Sequence, residues 1–401
     1  MSHIHELITE KHPKGVLHRP LREIAQYSKT RVDAAEIDST TFVGVDNLLP
    51  NKGGKTNAIY PPNATRITAF EAGDVLLGNI RPYLKKVWLA SAAGGCSGDV
   101  LAIRIMAAHC DSIAPEFLYY LLSSDNFFDY NMQHAKGAKM PRGSKEAILN
   151  YQVPLPSLEV QREIVRILDQ FTQLEAELEA ELEARRQQYE HYAHALLEST
   201  ETTPRVRLGD IASITRGASP RPIQSFITTA DDGVPWIKIG DVPPTGKYIT
   251  STAQHVTPAG AAKSRRVRPG DFVLSNSMSF GRPYISKIDG YIHDGWLAIS
   301  NFEDSFIPDY LYYLLRSSPV QAEFARRAGA GTVKNLNADI VKSVSVPVPT
   351  RAEQERVIGL LDRFDALVND LSIGLPAELA ARRKQYEYYR DRLLTFEEAP
   401  A

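Results

Sequence analysis

Residues able to neutralise phosphate and to read base edges gather at two places in the chain. Arg216, Arg221, Lys238, Lys263, Arg265, Arg266, Arg268 and Arg282, followed by Lys334 and Asn335, form one group. Arg81, Lys85, Lys86, Lys136, Lys139 and Arg142, interleaved with Tyr83 and Trp88, form the other. Guanidinium and ammonium groups displace counterions from phosphates, and Arg, Lys and Asn also pair with base edges in the major groove. A single cluster of this kind is more often a solvated face. Two clusters at corresponding places in the two halves of one chain weaken that reading and suit a phosphate-bearing partner such as double-stranded DNA.

Bond-making chemistry has no comparable signature. Lys52-Gly-Gly-Lys-Thr56 resembles the end of a phosphate-binding loop, but the first glycine of that motif would fall at Leu49. Gly329-Ala-Gly331 lacks the third glycine of a dinucleotide fingerprint, and neither Gly-x-Ser-x-Gly nor His-Glu-x-x-His occurs. There is no Asn-Pro-Pro-aromatic run of the kind an amino-methyltransferase places against an extruded base. Two cysteines, Cys96 and Cys110, make neither a metal cluster nor a disulfide framework. We therefore expect a chain that is not itself an enzyme, with no catalytic residues, no metal site and no cofactor of its own.

The elements that must position the basic groups are written twice. Pro115-Glu-Phe-Leu-Tyr-Tyr-Leu-Leu122 recurs as Pro308-Asp-Tyr-Leu-Tyr-Tyr-Leu-Leu315, and Val153-Pro-Leu-Pro156 as Val346-Pro-Val-Pro349, both 193 residues later. Gln161 is matched by Gln354 and Leu168-Asp-Gln-Phe171 by Leu361-Asp-Arg-Phe364 at the same offset. Gly73-Asp-Val-Leu76 answers Gly270-Asp-Phe-Val273, and Arg81-Pro-Tyr83 answers Arg282-Pro-Tyr284. A period this long is a duplication of whole domains rather than a solenoid.

Each copy begins with a globular stretch, 1–150 and 205–345, in which short β-rich runs at 73–77, 100–105, 234–239 and 271–274 are punctuated by Gly and Pro. Each then passes through Pro-x-Pro into a helical region, 151–204 and 346–401, with N-cap chemistry at Ser157 and a capping box at Thr350 and Glu353. Ile164, Leu168, Phe171, Leu174, Leu178, Leu182 and Tyr189 keep a 3/4 spacing in the first helix, as do Val357, Leu361, Phe364, Val368 and Leu371 in the second, with Tyr386 answering Tyr189. Successive Leu-Glu-Ala tetrads at 174–185 turn the helix by about 400° each, so their leucines drift only about 40° per repeat and share a face. Gly374-Leu-Pro376 should break or kink the second helix. The fold class we expect is α+β: two α/β globules, each followed by a long helix, the helices pairing as an antiparallel coiled coil in a pseudo-two-fold repeat.

The formal charge of −2 over 401 residues conceals a segregation. Residues 1–150 carry +2 and 205–345 carry +5, whereas 151–204 carry −7 and 346–401 carry −2. Basic globules are thus joined by acidic helices, and the neutral total does not argue against nucleic acid. With 43% hydrophobic and 23% charged residues, the composition excludes a disordered or collagenous chain. No apolar run reaches the ~18–20 residues of a membrane span, and the N-terminal segment lacks an apolar signal core, so we expect a cytoplasmic protein without a membrane partner.

At these residues the chain resembles the specificity subunit of a type I restriction-modification system. The resemblance is carried by Leu208-Gly-Asp-Ile-Ala, Arg216-Gly-Ala-Ser-Pro-Arg221 and Pro235-Trp-Ile-Lys-Ile-Gly240, the repeated Val-Pro-x-Pro, the Leu-Glu-Ala tetrads, and Arg-Arg-x-Gln-Tyr at 185–189 and 382–386. It covers nearly the whole chain, and the order of these motifs is more specific than any one of them. It implies that 1–150 and 205–345 are target-recognition domains, each reading one half of a bipartite, asymmetric DNA sequence, and that 151–204 and 346–401 form a spacer. It also implies two modification subunits that methylate adenine with S-adenosylmethionine, and restriction subunits that use ATP and Mg. Those cofactors would reside in the partners. Two other classes stay open beside it: a coiled-coil scaffold without sequence-specific DNA binding, and a self-sufficient DNA methyltransferase or nuclease. The paired basic clusters weigh against the first and the missing catalytic motifs against the second.

Overall fold

The computed structural model describes residues 2–198, 203–242, 246–277, 280–329, 335–369 and 373–400. It divides into two compact units, Met1–Glu177 with Ala380–Ala401, and Leu178–Leu379. The division passes through the helical regions: Leu158–Leu197 is one continuous 40-residue helix whose first half belongs to one unit and whose second half belongs to the other.

In the first unit, one sheet orders the strands Ala25–Tyr27, Val100–Ile105, Val75–Gly78 and Val87–Leu89, all antiparallel. Its central strand Val75–Gly78 is buried at every position, which is why it reads as an unbroken apolar run rather than an alternation. Gly73, at φ +89°, supplies the left-handed turn that enters it. A second sheet orders Arg31–Asp33, Arg66–Phe70, Gly94–Cys96 and Phe42–Val43, with only the last pair parallel.

The second unit repeats this plan. Ser213–Arg216, Trp296–Ser300, Phe272–Ser275 and Pro283–Ser286 follow the order of the first sheet, with Tyr248–Ile249 added at one edge. Arg265–Val267, Gly290–Ile292 and Val234–Ile237 follow the second, including its parallel pair, which Gln254–Val256 and Ile227–Thr228 extend.

The repeat is closest where globule meets helix. Two-stranded ribbons, His18–Pro20 with Gln152–Pro154 and Arg205–Arg207 with Ser345–Pro347, lead into Leu158–Leu197 and Arg351–Asn369. One turn in, the fully buried Gln161 accepts the Ala114 N–H and donates to the carbonyls of Ser112 and Pro156, each at 2.8 Å. Gln354, equally buried, accepts the Ile307 N–H at 2.8 Å and donates to the carbonyls of Ser305 and Pro349 at 2.8 and 3.0 Å. Two turns further on, the Tyr120 hydroxyl donates to Asp169 and the Tyr313 hydroxyl to Asp362. The burial that would penalise each amide is offset by a complete set of partners.

Helix capping departs from expectation. Thr350 accepts the Glu353 N–H at 3.3 Å, but Glu353 pairs with Arg356, so the capping box is half made. The Ser157 hydroxyl is buried without a hydrogen bond among the described residues, and its backbone N–H donates instead to His12 Nε2 at 2.8 Å.

Pro376 does interrupt the distal helix, which runs as Arg351–Asn369 and then Leu375–Leu393, with the proline in the first turn where its missing N–H costs nothing. Within the first unit, Ile164 and Leu168 are buried in the core, Phe171 stacks on Tyr389 at 5.6 Å and lies 6.1 Å from Tyr386, and Glu175 pairs with Arg383 at 2.6 Å. Within the second, Leu178 and Leu182 pack with Val368, Leu375 and Leu379, while Tyr192 stacks on Phe364 at 5.9 Å. In both, partner numbers fall as central-helix numbers rise, so the pairing is antiparallel. Val357 and Leu361 are fully buried in the second core, with Tyr189 against it. Leu371 lies outside the described residues. The tetrad leucines are unequal: Leu182 is 7% exposed, Leu178 is half-buried and Leu174 is 37% exposed. A drift of about 40° per tetrad, accumulated over two, carries Leu174 to the margin of the seam.

Candidate nucleic-acid interface

In the first unit, the cationic groups are mounted on a rigid turn. Arg81 and Lys85, both in the left-handed region at φ 52° and 50°, bracket the single 3-10 turn Pro82–Leu84. Non-glycine residues hold that conformation only where their surroundings impose it. Here the Asn51 and Lys52 N–H groups donate to the Leu84 and Lys85 carbonyls at 2.8 and 2.9 Å, and the Arg81 N–H donates to the Pro141 carbonyl at 2.7 Å. Arg142 and Lys136 exchange two backbone hydrogen bonds of 2.9 Å. Arg81, Tyr83, Lys136, Lys139 and Arg142 are thereby gathered on two interlocked loops, with all five side chains exposed. Arg142 also reaches Asp99 at 3.2 Å.

Lys85 and Lys86 turn inward. The Lys85 ammonium meets Asp125 at 2.6 Å, where Lys52 joins it at 3.1 Å and Arg390, from the Leu375–Leu393 helix, takes the other carboxylate oxygen at 2.6 Å. Burial opposes ionisation of Asp125, but the hydrogen bonds from Lys85, Lys52 and Arg390 outweigh it and hold the carboxyl below the usual carboxylate range. Burial also lowers Lys86, whose ammonium donates to the Val45 carbonyl at 2.5 Å.

In the second unit, the loop at Asp294 is the organiser. Its backbone carbonyl accepts Arg216 Nε at 3.1 Å and its carboxylate accepts the Ser219 hydroxyl at 2.7 Å, with Arg221 3.8 Å away. The Ser219 hydroxyl is the leading cause that keeps this carboxyl below its ordinary value. Arg265 Nε donates to the Arg216 carbonyl at 3.4 Å, and Lys238 lines the same cleft as Arg221 and Asp294. Arg216, Arg221, Lys238 and Arg265 are thus assembled from three separate segments. Arg266 is spent on Asp289, with Nε to Oδ1 at 2.8 Å. Arg282 lies over Tyr284 at 5.5 Å, in the turn that follows Phe272–Ser275. Asn335 is exposed, and Lys334 is outside the described residues.

Asp125, Arg390, Asp294 and His293 escaped the sequence reading. Laying Ser97-Gly-Asp99 of the first copy on His293-Asp-Gly295 of the second would have exposed the last two as a point of divergence. Among the described residues no group of three or more His, Cys, Asp or Glu could hold a metal ion, and no helix is long and apolar enough to cross a membrane.

This arrangement of two globules and long helices is a specificity-subunit fold. A chain from a type I R-M system, solved in work on complex assembly and conformational transition, superposes with a TM-score of 0.68 over 95% of this chain and 98% of its own at 21% identity. The HsdS subunit from Thermoanaerobacter tengcongensis gives 0.53 over 96% and 98%, also at 21% identity. In sequence, the chain is 32% identical over 296 residues to a putative type I restriction enzyme specificity subunit of Haemophilus influenzae, spanning 70% of this chain and 72% of the relative. It is 32% identical over 270 residues to the EcoR124I/EcoR124II specificity subunit of Escherichia coli, 63% and 66% respectively. The family model for the type I restriction modification DNA specificity domain matches residues 82–184 and 201–381. The chain belongs to that family.

Proposed function

We propose that this specificity subunit reads a bipartite, asymmetric DNA sequence, one half with each globule, and catalyses nothing itself. The observation that carries the reading is the internal duplication. Two units that share most of their strand order are pinned to helix by the same glutamine and tyrosine bonds, yet they present different basic loops, 81–83 with 136–142 in one and 216–221 with 238 and 265 in the other. Equal scaffolds with unequal surfaces suit two readers of unlike half-sites. Phosphate contacts would fix the register, and a few side chains in each unit would meet bases.

The acidic stretch 151–204 faces partners of its own kind: two modification subunits carrying S-adenosylmethionine, which would extrude the target adenine, and restriction subunits supplying ATP and Mg chemistry. Such an assembly works in the cytoplasm. Because one tetrad adds about 6 Å of helix, the tetrad count would set the spacer between half-sites.

The test is methylome sequencing of cells with and without the gene. Loss of one split, non-palindromic methylated motif is the expected result, and an unchanged methylome would overturn the proposal. Deleting residues 178–181 should shorten the spacer in that motif, and an unchanged spacer would remove the ruler.

A further inference from the structure

The two units carry a cleft at the same point of their topology, and its chemistry differs between them. In the first, Phe42–Val43 runs parallel to Gly94–Cys96, placing Phe42 opposite Gly95 and Val43 opposite Cys96. In the second, Trp236 and Ile237 stand parallel to Tyr291 and Ile292. On this register Phe42 corresponds to Trp236, Gly44 to Lys238, Val45 to Ile239 and Ser97 to His293. All of these line clefts of about 570 Å³ in the first unit and about 650 Å³ in the second. Parallel neighbours end at one edge of a sheet, so the segments leaving both strands converge on one opening.

The first cleft offers an acceptor. Asp46 is exposed and accepts no hydrogen bond among the described residues; Lys86, whose ammonium donates to the Val45 carbonyl, acts on it through its charge alone, and Asp99 is held by Arg142. Arg81 and Lys86 line the same cleft and suit a phosphate, while the Asp46 carboxylate, which only accepts, suits a donor on a base edge. The second cleft holds a carboxylate as well, Asp294, but it accepts the Ser219 hydroxyl at 2.7 Å and faces Arg221 at 3.8 Å, which leaves the Lys238 ammonium and the 84%-exposed Arg221 guanidinium as the groups offered, both donors. His293 adds a third, because its Nδ1 accepts the Gly295 N–H at 2.9 Å and its proton is left on Nε2. Burial holds His293 below its ordinary value, which keeps the ring neutral.

We propose that these clefts are the base-reading sites of the two units: Asp46 accepts the N4 amino group of a cytosine in one half-site, and Lys238 with Arg221 donates to O6 and N7 of a guanine in the other. A carboxylate accepts only, which fits cytosine, whereas adenine presents N7 beside its amino group and asks for a donor as well. The inference rests on the chain being a DNA specificity subunit.

The assembled enzyme, with its modification subunits, is given a randomised-target DNA library, and the methylated motif is read by sequencing for the parent, Asp46→Asn, Lys238→Gln and the conservative Lys238→Arg. The expected result is that Asp46→Asn loosens one cytosine in one half-site about 10–100-fold and admits adenine there, an amide matching adenine. Lys238→Gln should loosen one guanine in the other half-site, Lys238→Arg should retain it, and the salt dependence of binding should stay unchanged. An unaltered motif, a uniform loss at all positions with a shallower salt slope, or both variants striking one half-site would overturn the assignment. A parent assembly that methylates no defined motif would instead overturn the specificity-subunit reading itself.

Discussion

Asp125 and the residue that the repeat makes its counterpart, Ser318, take the same place in two copies of one chain plan, and only the first carries a charge. In the first unit, Asp125 gathers Lys52, Lys85 and the Arg390 guanidinium, whose side chain is 1% exposed. In the second unit, the serine takes no such part. There Lys247 lies 2.5 Å from Asp309 and 3.9 Å from Asp362, with the Tyr312 and Tyr313 rings 4.9 and 5.0 Å away. Much of what both units share is buried: the glutamine clamp, which engages backbone, and the continuous apolar strands, with the Tyr–Asp bonds beside them. The charged networks mounted on the same framework diverged. Duplication has kept the packing, which admits few alternatives, and released the electrostatics, which admit many.

The sharpest way to break this contrast is Asp125→Ala. Removing the hub leaves Arg390 buried against Asp391 alone and strands two ammonium groups, so the first unit should lose about 3 kcal/mol while Ser318→Ala costs under about 0.5. Hydrogen exchange resolved by unit measures both, and equal losses would dissolve the distinction.

Next come Gln161→Leu and Gln354→Leu, each of which orphans a buried N–H and two carbonyls. Each should destabilise its own unit by about 2 kcal/mol in denaturant unfolding, and the two costs should agree if the clamp is truly duplicated.

A smaller difference is expected in acid. Because partners hold the folded Asp125 carboxyl below its unfolded value of about 3.9, the stability it contributes is complete above that pH and is lost as pH falls towards the folded value. The first unit of the parent should therefore weaken in acid more steeply than that of Asp125→Asn, as followed by urea midpoints between about pH 5 and 2. Smallest is Tyr120→Phe, about 1 kcal/mol, which Tyr313→Phe should match. A large disparity between them would show that Lys247, beside Asp362, has changed the bond in the second unit.

The framework was largely legible in the sequence. The repeat located strands and helix starts, and Gly374-Leu-Pro376 stood out as a departure from it, because apolar periodicity and turn residues are local signals. The register of Gln161 and Gln354 was visible as a match, but what they bond to was not, since Ser112 and Ser305 lie far off in the chain. The basic groups were found by type and only partly by place. Arg81 and Arg142 come together through a hydrogen bond to Pro141, and Lys85 turns away to Asp125, neither of which follows from composition or spacing. The acceptor at Asp46 and the donor tautomer of His293 went unread for the same reason: both are defined by a fold-imposed neighbourhood.

The glutamine clamp touches only main-chain atoms, the Ala114 N–H with the Ser112 and Pro156 carbonyls, and the Ile307 N–H with the Ser305 and Pro349 carbonyls. A fastening that engages backbone alone is blind to the identity of what it fastens. The globule it holds can exchange nearly every outward side chain without loosening the attachment, so this joint sets no limit on how far a lineage may rewrite the surface beyond it.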